Sequence, residues 1–152
     1  MYKGIVITKD EAGYTSQITE IASKPLQEGE VRVEVKYSTL NYKDALAITG
    51  RSPVVRSFPL TPGIDFSGVV IESKHPAWKE RDEVLLNGWG VGEKYFGGLA
   101  EQVTVSGDWL IQKPSAFSFK DTMVIGTAGY TAMLCVMALQ KHGIKPSDGK
   151  IL

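Results

Sequence analysis

The chain has 152 residues, 43% of them hydrophobic, which is enough to bury one core. Seventeen Lys and Arg balance seventeen Asp and Glu, so no excess of charge is available to grip nucleic acid or an anionic membrane. The one cysteine, Cys135, rules out an intrachain disulfide and a multi-cysteine zinc site, and it makes the cytoplasm the expected compartment.

The N-terminus, "MYKGIVITKDEAG", mixes charged and apolar residues from the start, unlike a signal peptide. Short strands are expected at residues 4–8 ("GIVIT") and 16–21 ("SQITEI"). In "EVRVEVKY" (30–37), Val31, Val33, Val35 and Tyr37 alternate with Arg32, Glu34 and Lys36, the period of a strand with one buried face. "NYKDALAIT" (41–49) then reads as a short helix capped by Asn41, with Leu46 and Ile48 turned inward and Lys43 exposed. Further strands are expected at 66–73 ("FSGVVIES"), 82–87 ("DEVLLN"), 99–105 ("LAEQVTV") and 109–113 ("WLIQK"), separated by Gly, Pro, Asn and Asp. Many short strands with irregular turns predict a barrel-like or sandwich-like fold.

At Ser118 the texture changes. Ser118 and Asp121 have capping-box spacing, and the apolar stretch that follows closes on His142 and Gly143. Gly126 and Gly129 weaken the "GTAG" portion, so one or two helical turns, a break, and a longer helix over 127–142 are expected. The longest apolar run, residues 132–139, is eight long against the roughly 20 of a membrane span, and no membrane segment is expected. "IKPSDGKIL" reads as a loop entering another strand.

Three apparent motifs carry little. "GWGVGEKYFGG" (88–98) has Glu93 where the third glycine of a dinucleotide fingerprint would fall, and it reads as a wide loop. His75 reads as a solvated turn residue without metal-ligating companions, and His142 as a residue at a helix C-terminus, where its charge suits the dipole.

Taken in order and spacing, "LNYKDALAITG", "PGIDFSGVV", "GGLAEQVTV", "GDWLIQKP" and "IGTAGYTAMLCVMAL" resemble the N-terminal portion of a known family. It is the zinc-independent quinone oxidoreductase branch of the medium-chain dehydrogenase/reductase superfamily, in particular the YhdH/AcuI (acrylyl-CoA reductase-like) subfamily. The resemblance implies a mainly β (α+β) architecture: a GroES-like, partly open β-barrel catalytic domain over 1–117. Residues 118–152 would form a linking helix and the start of a truncated NADP-binding Rossmann domain. Family members run to about twice this length, so the chain is expected to be the N-terminal part of a larger enzyme and inactive alone.

The resemblance also implies chemistry. Zinc alcohol dehydrogenases place a ligating Cys after the long strand and a Gly-His-Glu further on; here stand "LNYKD" and Gly63, Ile64 and Asp65, so no zinc is expected. The implied reaction is hydride transfer from NADPH to a quinone or to the β-carbon of an α,β-unsaturated thioester such as acryloyl-CoA, with protonation at the α-carbon. Tyr42 is the implied catalytic residue, beside the nicotinamide and its ribose, and Asn41, Thr127 and Thr131 join it on the cofactor side. For both threonines, helix capping is the competing structural reading. Asp65 is expected to be a buried structural carboxylate rather than a catalytic acid, and Asp44 to pair with Lys43 or to hold the turn. Arg56 and Trp89 fall in loops that would border the substrate, the arginine suiting CoA phosphates.

The implied partner is a small molecule, and the implied assembly a homodimer. Two other readings stay open: a stand-alone GroES-like binding or assembly module, and an enzyme-derived structural protein that binds cofactor without turnover.

Overall fold

The structure, a computed structural model, describes residues 1–11 and 13–149. β1 (Tyr2–Asp10) and β2 (Gly13–Ile21) form an antiparallel hairpin, longer at both strands than the apolar pattern alone predicts. β2 lengthens because ladder pairing with β1, rather than burial, holds it: Thr15 to Ile18 are all exposed. A five-stranded antiparallel sheet follows in the order β6-β3-β4-β5-β7, built from β3 (Glu30–Ser38), β4 (Asp65–Ser73), β5 (Glu83–Asn87), β6 (Gln102–Ser106) and β7 (Ile111–Gln112). α1 (Tyr42–Thr49) connects β3 towards β4, and α2 (Phe119–Lys141) follows β7.

The hairpin closes onto the sheet through isolated bridges, Gly4 with Ala100 and Ile7 with Leu60. The N–H of Ile7 donates to Leu60 O at 2.7 Å, and that of Leu60 donates back at 3.0 Å. Segment 99–101, expected as the start of a strand, instead bridges two elements: Glu101 N–H donates to Lys3 O, and Glu101 O accepts from Val35 N–H. The closed side of a partly open barrel therefore rests on single bridges rather than on full ladders.

The core explains the alternation in β3. Val31 and Val33 are fully buried against Phe66, Val70, Val84, Leu86, Val91, Val103, Val105 and Leu110, with Val35, Trp78 and Trp109 packed around them. Tyr37 breaks the pattern and is exposed, because the pairing with β4 slips between Val35 and Tyr37 and turns the strand end outward. Gly68 makes the close β3–β4 approach possible: a Cβ there would lie 2.0 Å from Glu34 O.

α1 forms where it is expected, but its buried face is Asp44 and Ala47, while Leu46 and Ile48 are only half-buried. Gly50, left-handed at φ 66°, ends it, and the Tyr14 hydroxyl donates to Ala47 O. Burial raises the Tyr14 pKa. Trp109, expected in a strand, sits in a 3-10 turn (Gly107–Trp109), leaving β7 only two residues. Pro146–Asp148 likewise form a 3-10 turn within the expected loop. The strand expected to follow in "GKIL" falls on residues 150–152, outside the described residues.

His75 is not a solvated turn residue. Its side chain is 14% exposed, Nε2 lies 3.1 Å from Asp108 Oδ1, and Nδ1 accepts from Ala77 N–H. Gly107 leaves room for the ring, since a Cβ there would lie 2.4 Å from it.

α2 starts with the expected capping box: Asp121 N–H donates to Ser118 Oγ, and Ser118 N–H donates to Asp121 Oδ2. Its 23 residues, mean hydropathy 1.7 over the most apolar window, are long and apolar enough to cross a membrane, which the eight-residue count had not suggested. The helix is interrupted, however. Its continuous part, residues 127–141, runs about 22 Å at 1.5 Å per residue, against a hydrocarbon core of about 30 Å.

Candidate active site

Asp65, the first residue of β4, is fully buried and accepts four hydrogen bonds through its side chain. Oδ2 accepts from Thr127 N–H at 2.9 Å and from Asn41 Nδ2 at 3.0 Å. Oδ1 accepts from Asn87 Nδ2 at 3.0 Å and from the Thr127 hydroxyl. The backbone carbonyl of Asp65 accepts from Ser38 Oγ at 2.7 Å. One carboxylate thus joins the start of α1, the end of β5 and the second part of α2, while the backbone carbonyl of the same residue ties in the end of β3.

The break in α2 makes this possible. Gly126 has φ 49° and ψ −162°, which ends the first helical stretch and turns the next N–H towards Asp65. A helix start leaves its first N–H groups without intrahelical partners and carries partial positive charge. Asp65 meets both needs from 62 residues away, so the restart at Thr127 is capped by a strand residue. The close approach also needs glycine: a Cβ at 126 would sit 3.1 Å from Asp65 Oδ2 and from Thr39 Cγ2.

Asp44 is the second fully buried carboxylate. Its Oδ1 accepts from Gly63 N–H and Ile64 N–H, both at 3.0 Å, and its Oδ2 from Asn41 N–H at 2.8 Å. Of the two alternatives, Asp44 holds the turn; Lys43 pairs instead with Glu93 at 2.8 Å. Asn41 Nδ2 also approaches Asp44 Oδ2 at 3.3 Å, so one amide bridges both carboxylates. Gly63, at φ 107°, packs against the loop from 88 to 98: a Cβ there would lie 2.5 Å from Leu99 N, and one on Gly97 would lie 2.4 Å from Gly63 O. The glycines of "GWGVGEKYFGG" therefore serve backbone packing and turns.

Of the remaining expected residues, only Thr127 bonds directly to Asp65. Tyr42 follows Asn41 directly; it is 82% exposed, and its phenol makes no hydrogen bond among the described residues. Thr127 takes the capping role, its hydroxyl donating to Asp65, which leaves it only accepting capacity towards a ligand. Thr131 is one turn further along α2 and exposed. Arg56 is exposed, and its N–H donates to Glu93 O at 2.8 Å, so its loop meets the same Glu93 that Lys43 pairs with. Trp89 follows Asn87 by two residues. Asp65 thus brings Asn41 and Thr127 together, with Asn87 as a third partner, while Tyr42 is tied to this joint only as the neighbour of Asn41, and no contact links Arg56 or Trp89 to Asp65 among the described residues. Asn87 reads in the sequence as an ordinary turn residue ending a strand, and no spacing rule links it to Asp65.

Trp89 has φ 58°, between Gly88 at φ 82° and Gly90 at φ 77°. For a bulky side chain this conformation costs about 1–2 kcal/mol. Its indole is 61% exposed and lies parallel to Trp109, centroids 6.1 Å apart and planes 9° apart; an offset aromatic pair returns about 0.5–1.5 kcal/mol. Packing therefore no more than offsets the strain.

Two cavities, of about 350 and about 280 Å³, lie elsewhere. The first is lined by residues including Tyr2, Pro25, Arg32 and Phe96, and the second by residues including Tyr14, Arg51 and Phe58; neither contains Tyr42 or Thr127.

The chain belongs to the alcohol dehydrogenase GroES-like domain family, whose model matches residues 27–115. It is 48% identical to the probable acrylyl-CoA reductase AcuI of Escherichia coli (strain K12), over 99% of this chain and 46% of that protein. It is 43% identical to acrylyl-CoA reductase AcuI of Ruegeria pomeroyi, over 100% of this chain and 47% of that one. Among solved structures it resembles the yhdH oxidoreductase of Salmonella enterica in complex with NADP, with a TM-score of 0.91 and 48% identity, covering 97% of this chain and 45% of that one. The resemblance to the YhdH/AcuI subfamily and the GroES-like fold are thereby borne out, and the chain spans about half the length of the curated relatives it matches.

Proposed function

We propose that this chain is the catalytic-domain portion of an NADPH-dependent, zinc-free oxidoreductase that reduces an activated C=C bond, as in acryloyl-CoA, or a quinone. The observation that carries the reading is the Asp65 joint: one buried carboxylate holds the segment bearing Tyr42 and the restart of the helix bearing Thr127 and Thr131. Residues 1–117 are assigned to the catalytic domain, and 118–152 to the linker and the beginning of a cofactor domain. A cytoplasmic homodimer acting on a small molecule completes the reading.

The residues present suit a nicotinamide nucleotide better than a zinc ion. An exposed phenol and a Thr131 hydroxyl that have no hydrogen-bond partner among the described residues, and a Thr127 hydroxyl left to accept, are groups that meet ribose and carboxamide. Asp65, in contrast, already receives four donors on its two oxygens, which is the environment of an anchor and not of a metal ligand. Bound NADPH supplies the hydride in this reading. In this reading Tyr42 would orient the nicotinamide side by hydrogen bonding and supply its phenol proton to the α-carbon. Asn41 is held by both carboxylates and fixes the Tyr42 backbone. Asp65 sets the distance between barrel and helix, the positional control on which hydride transfer depends. Arg56 and Trp89 are assigned to the acceptor, Arg56 offering its guanidinium to phosphate.

The test is NADPH oxidation by the native protein that carries this chain, with acryloyl-CoA and with a simple quinone as acceptors. Tyr42→Phe should lower kcat at least tenfold while leaving the melting temperature unchanged, since the side chain is exposed. Absence of turnover with both acceptors in an intact native protein would favour the binding-module reading.

A further inference from the structure

Trp89 is the strained residue that the proposed roles of Tyr42, Asn41 and Thr127 leave without a purpose. Three successive left-handed residues, Gly88, Trp89 and Gly90, carry a large aromatic where glycine alone would be comfortable. The loop is otherwise firmly tied. Gly88 N–H donates to Ile64 O, Gly90 O accepts from the N–H groups of Glu93, Lys94 and Tyr95, and Glu93 is held by Lys43 and Arg56. The backbone that carries the indole is thus held firmly, and Gly88, the residue before it, is bonded to Ile64, the residue before Asp65.

The stacking geometry leaves it a free face. At a usual plane separation of roughly 3.5 Å, a centroid distance of 6.1 Å implies a lateral offset of about 5 Å, so Trp109 covers only an edge of Trp89. Trp109 is in turn backed by Tyr95, with centroids 4.8 Å apart, and packs on the core. The result is a braced aromatic shelf whose outer ring is open to solvent.

We infer that Trp89, braced by Trp109 and Tyr95, is a stacking platform for a planar π-ring of the substrate. This inference rests on the reductase reading for the identity of that substrate. Two acceptors carry such a ring: the adenine of a CoA ester, which would leave its phosphates to a cation such as Arg56, or the quinone nucleus itself. A base stacked on an aromatic side chain gains enough for its removal to be read in affinity.

The experiment is an NMR titration of the indole N–H signals with three probes: adenosine 3′,5′-bisphosphate, menadione, and pyrophosphate as a ringless control. Trp78, whose Nε1 donates to Gly107 O at 2.8 Å, is the internal reference. The platform predicts that a ring probe shifts Trp89 and Trp109 while Trp78 stays still. Trp89→Gly, which removes the ring together with the strain, should weaken that binding roughly tenfold without lowering the melting temperature, and Trp89→Tyr should restore part of it. A response to adenosine bisphosphate alone assigns the ring to a CoA ester, and a response to menadione alone assigns it to a quinone. Equal shifts with pyrophosphate, no shift with either ring probe, or binding unchanged in Trp89→Gly would overturn the platform. Ring binding at Trp89 in a protein that never oxidises NADPH would support the platform while refuting the reductase reading; turnover with Trp89 unmoved would do the reverse.

Discussion

Removing the Asp65 carboxylate should cost more stability than any other single polar substitution in the barrel. Asp65→Ala strips the acceptor from Thr127 N–H, the Thr127 hydroxyl, Asn41 Nδ2 and Asn87 Nδ2 at once. Asn41 keeps Asp44, and Asn87 is half-buried and able to reach water, so two donors at Thr127 bear most of the loss. At about 1–3 kcal/mol for each donor left without a partner, and with the cap of the restarted helix gone, the expected loss is about 4 kcal/mol. That is a large share of the roughly 5–15 kcal/mol typical of a whole domain. Asp65→Asn should cost less, about 1–2 kcal/mol, because the Thr127 hydroxyl and the Asn87 amide can both turn to accept from the new NH2 group. Urea unfolding followed by circular dichroism reads both values, and a double-mutant cycle with Thr127→Val should show coupling of about 1 kcal/mol or more. If Asp65→Ala unfolds within 1 kcal/mol of the parent, the joint is not what holds barrel and helix together.

Three further outcomes are expected. Gly126→Ala should destabilise by about 1–3 kcal/mol, since it combines φ 49° with contacts at 3.1 Å, and thermal melts will show it; an unchanged melt would mean that the break relaxes freely. Hydrogen bonds from the Ser118 hydroxyl and N–H hold the Asp121 carboxyl below its ordinary value near 4. The carboxylate's contribution is therefore fully present above pH 4 and is lost as the pH falls through the lowered folded value. Ser118→Ala should move the Asp121 titration, followed by NMR, back towards the ordinary value. Finally, Met133 and Met137 are 59% and 57% exposed beside Leu134 and Val136, an apolar stripe that should drive self-association. Met133→Gln with Met137→Gln should shift sedimentation towards the monomer, and a chain of this length that is already monomeric would contradict the expectation.

Local signals were legible where local chemistry decides the outcome. The alternation of β3, the Asn41 cap, the Ser118 and Asp121 box and the break at "GTAG" all reflect interactions within a few residues. The misses share the opposite property. Asp44, expected to pair with Lys43 or to hold the turn, holds the turn, but through the N–H groups of Gly63 and Ile64, about 20 residues away, which no local pattern names. Asn87 finds Asp65 across a strand pair, and His75 finds its cover in the glycine at 107. Segment 99–101 has a strand's composition, yet its partners come from β1 on one side and β3 on the other. The residues that resemble a family motif were thus placed correctly in the chain, while the network that brings them together depends on tertiary contacts that no window of sequence contains.

The interruption at Gly126 makes α2 a lever with its fulcrum at Asp65. The arm beyond it is about 22 Å long, so a swing of only about 10° at the fulcrum displaces the far end by about 4 Å. Two hydrogen bonds to Thr127 hold that angle. Whatever the outer arm touches inherits its aim from a strand residue on the opposite side of the joint, so a substitution at 65 would be felt as misalignment as well as lost stability.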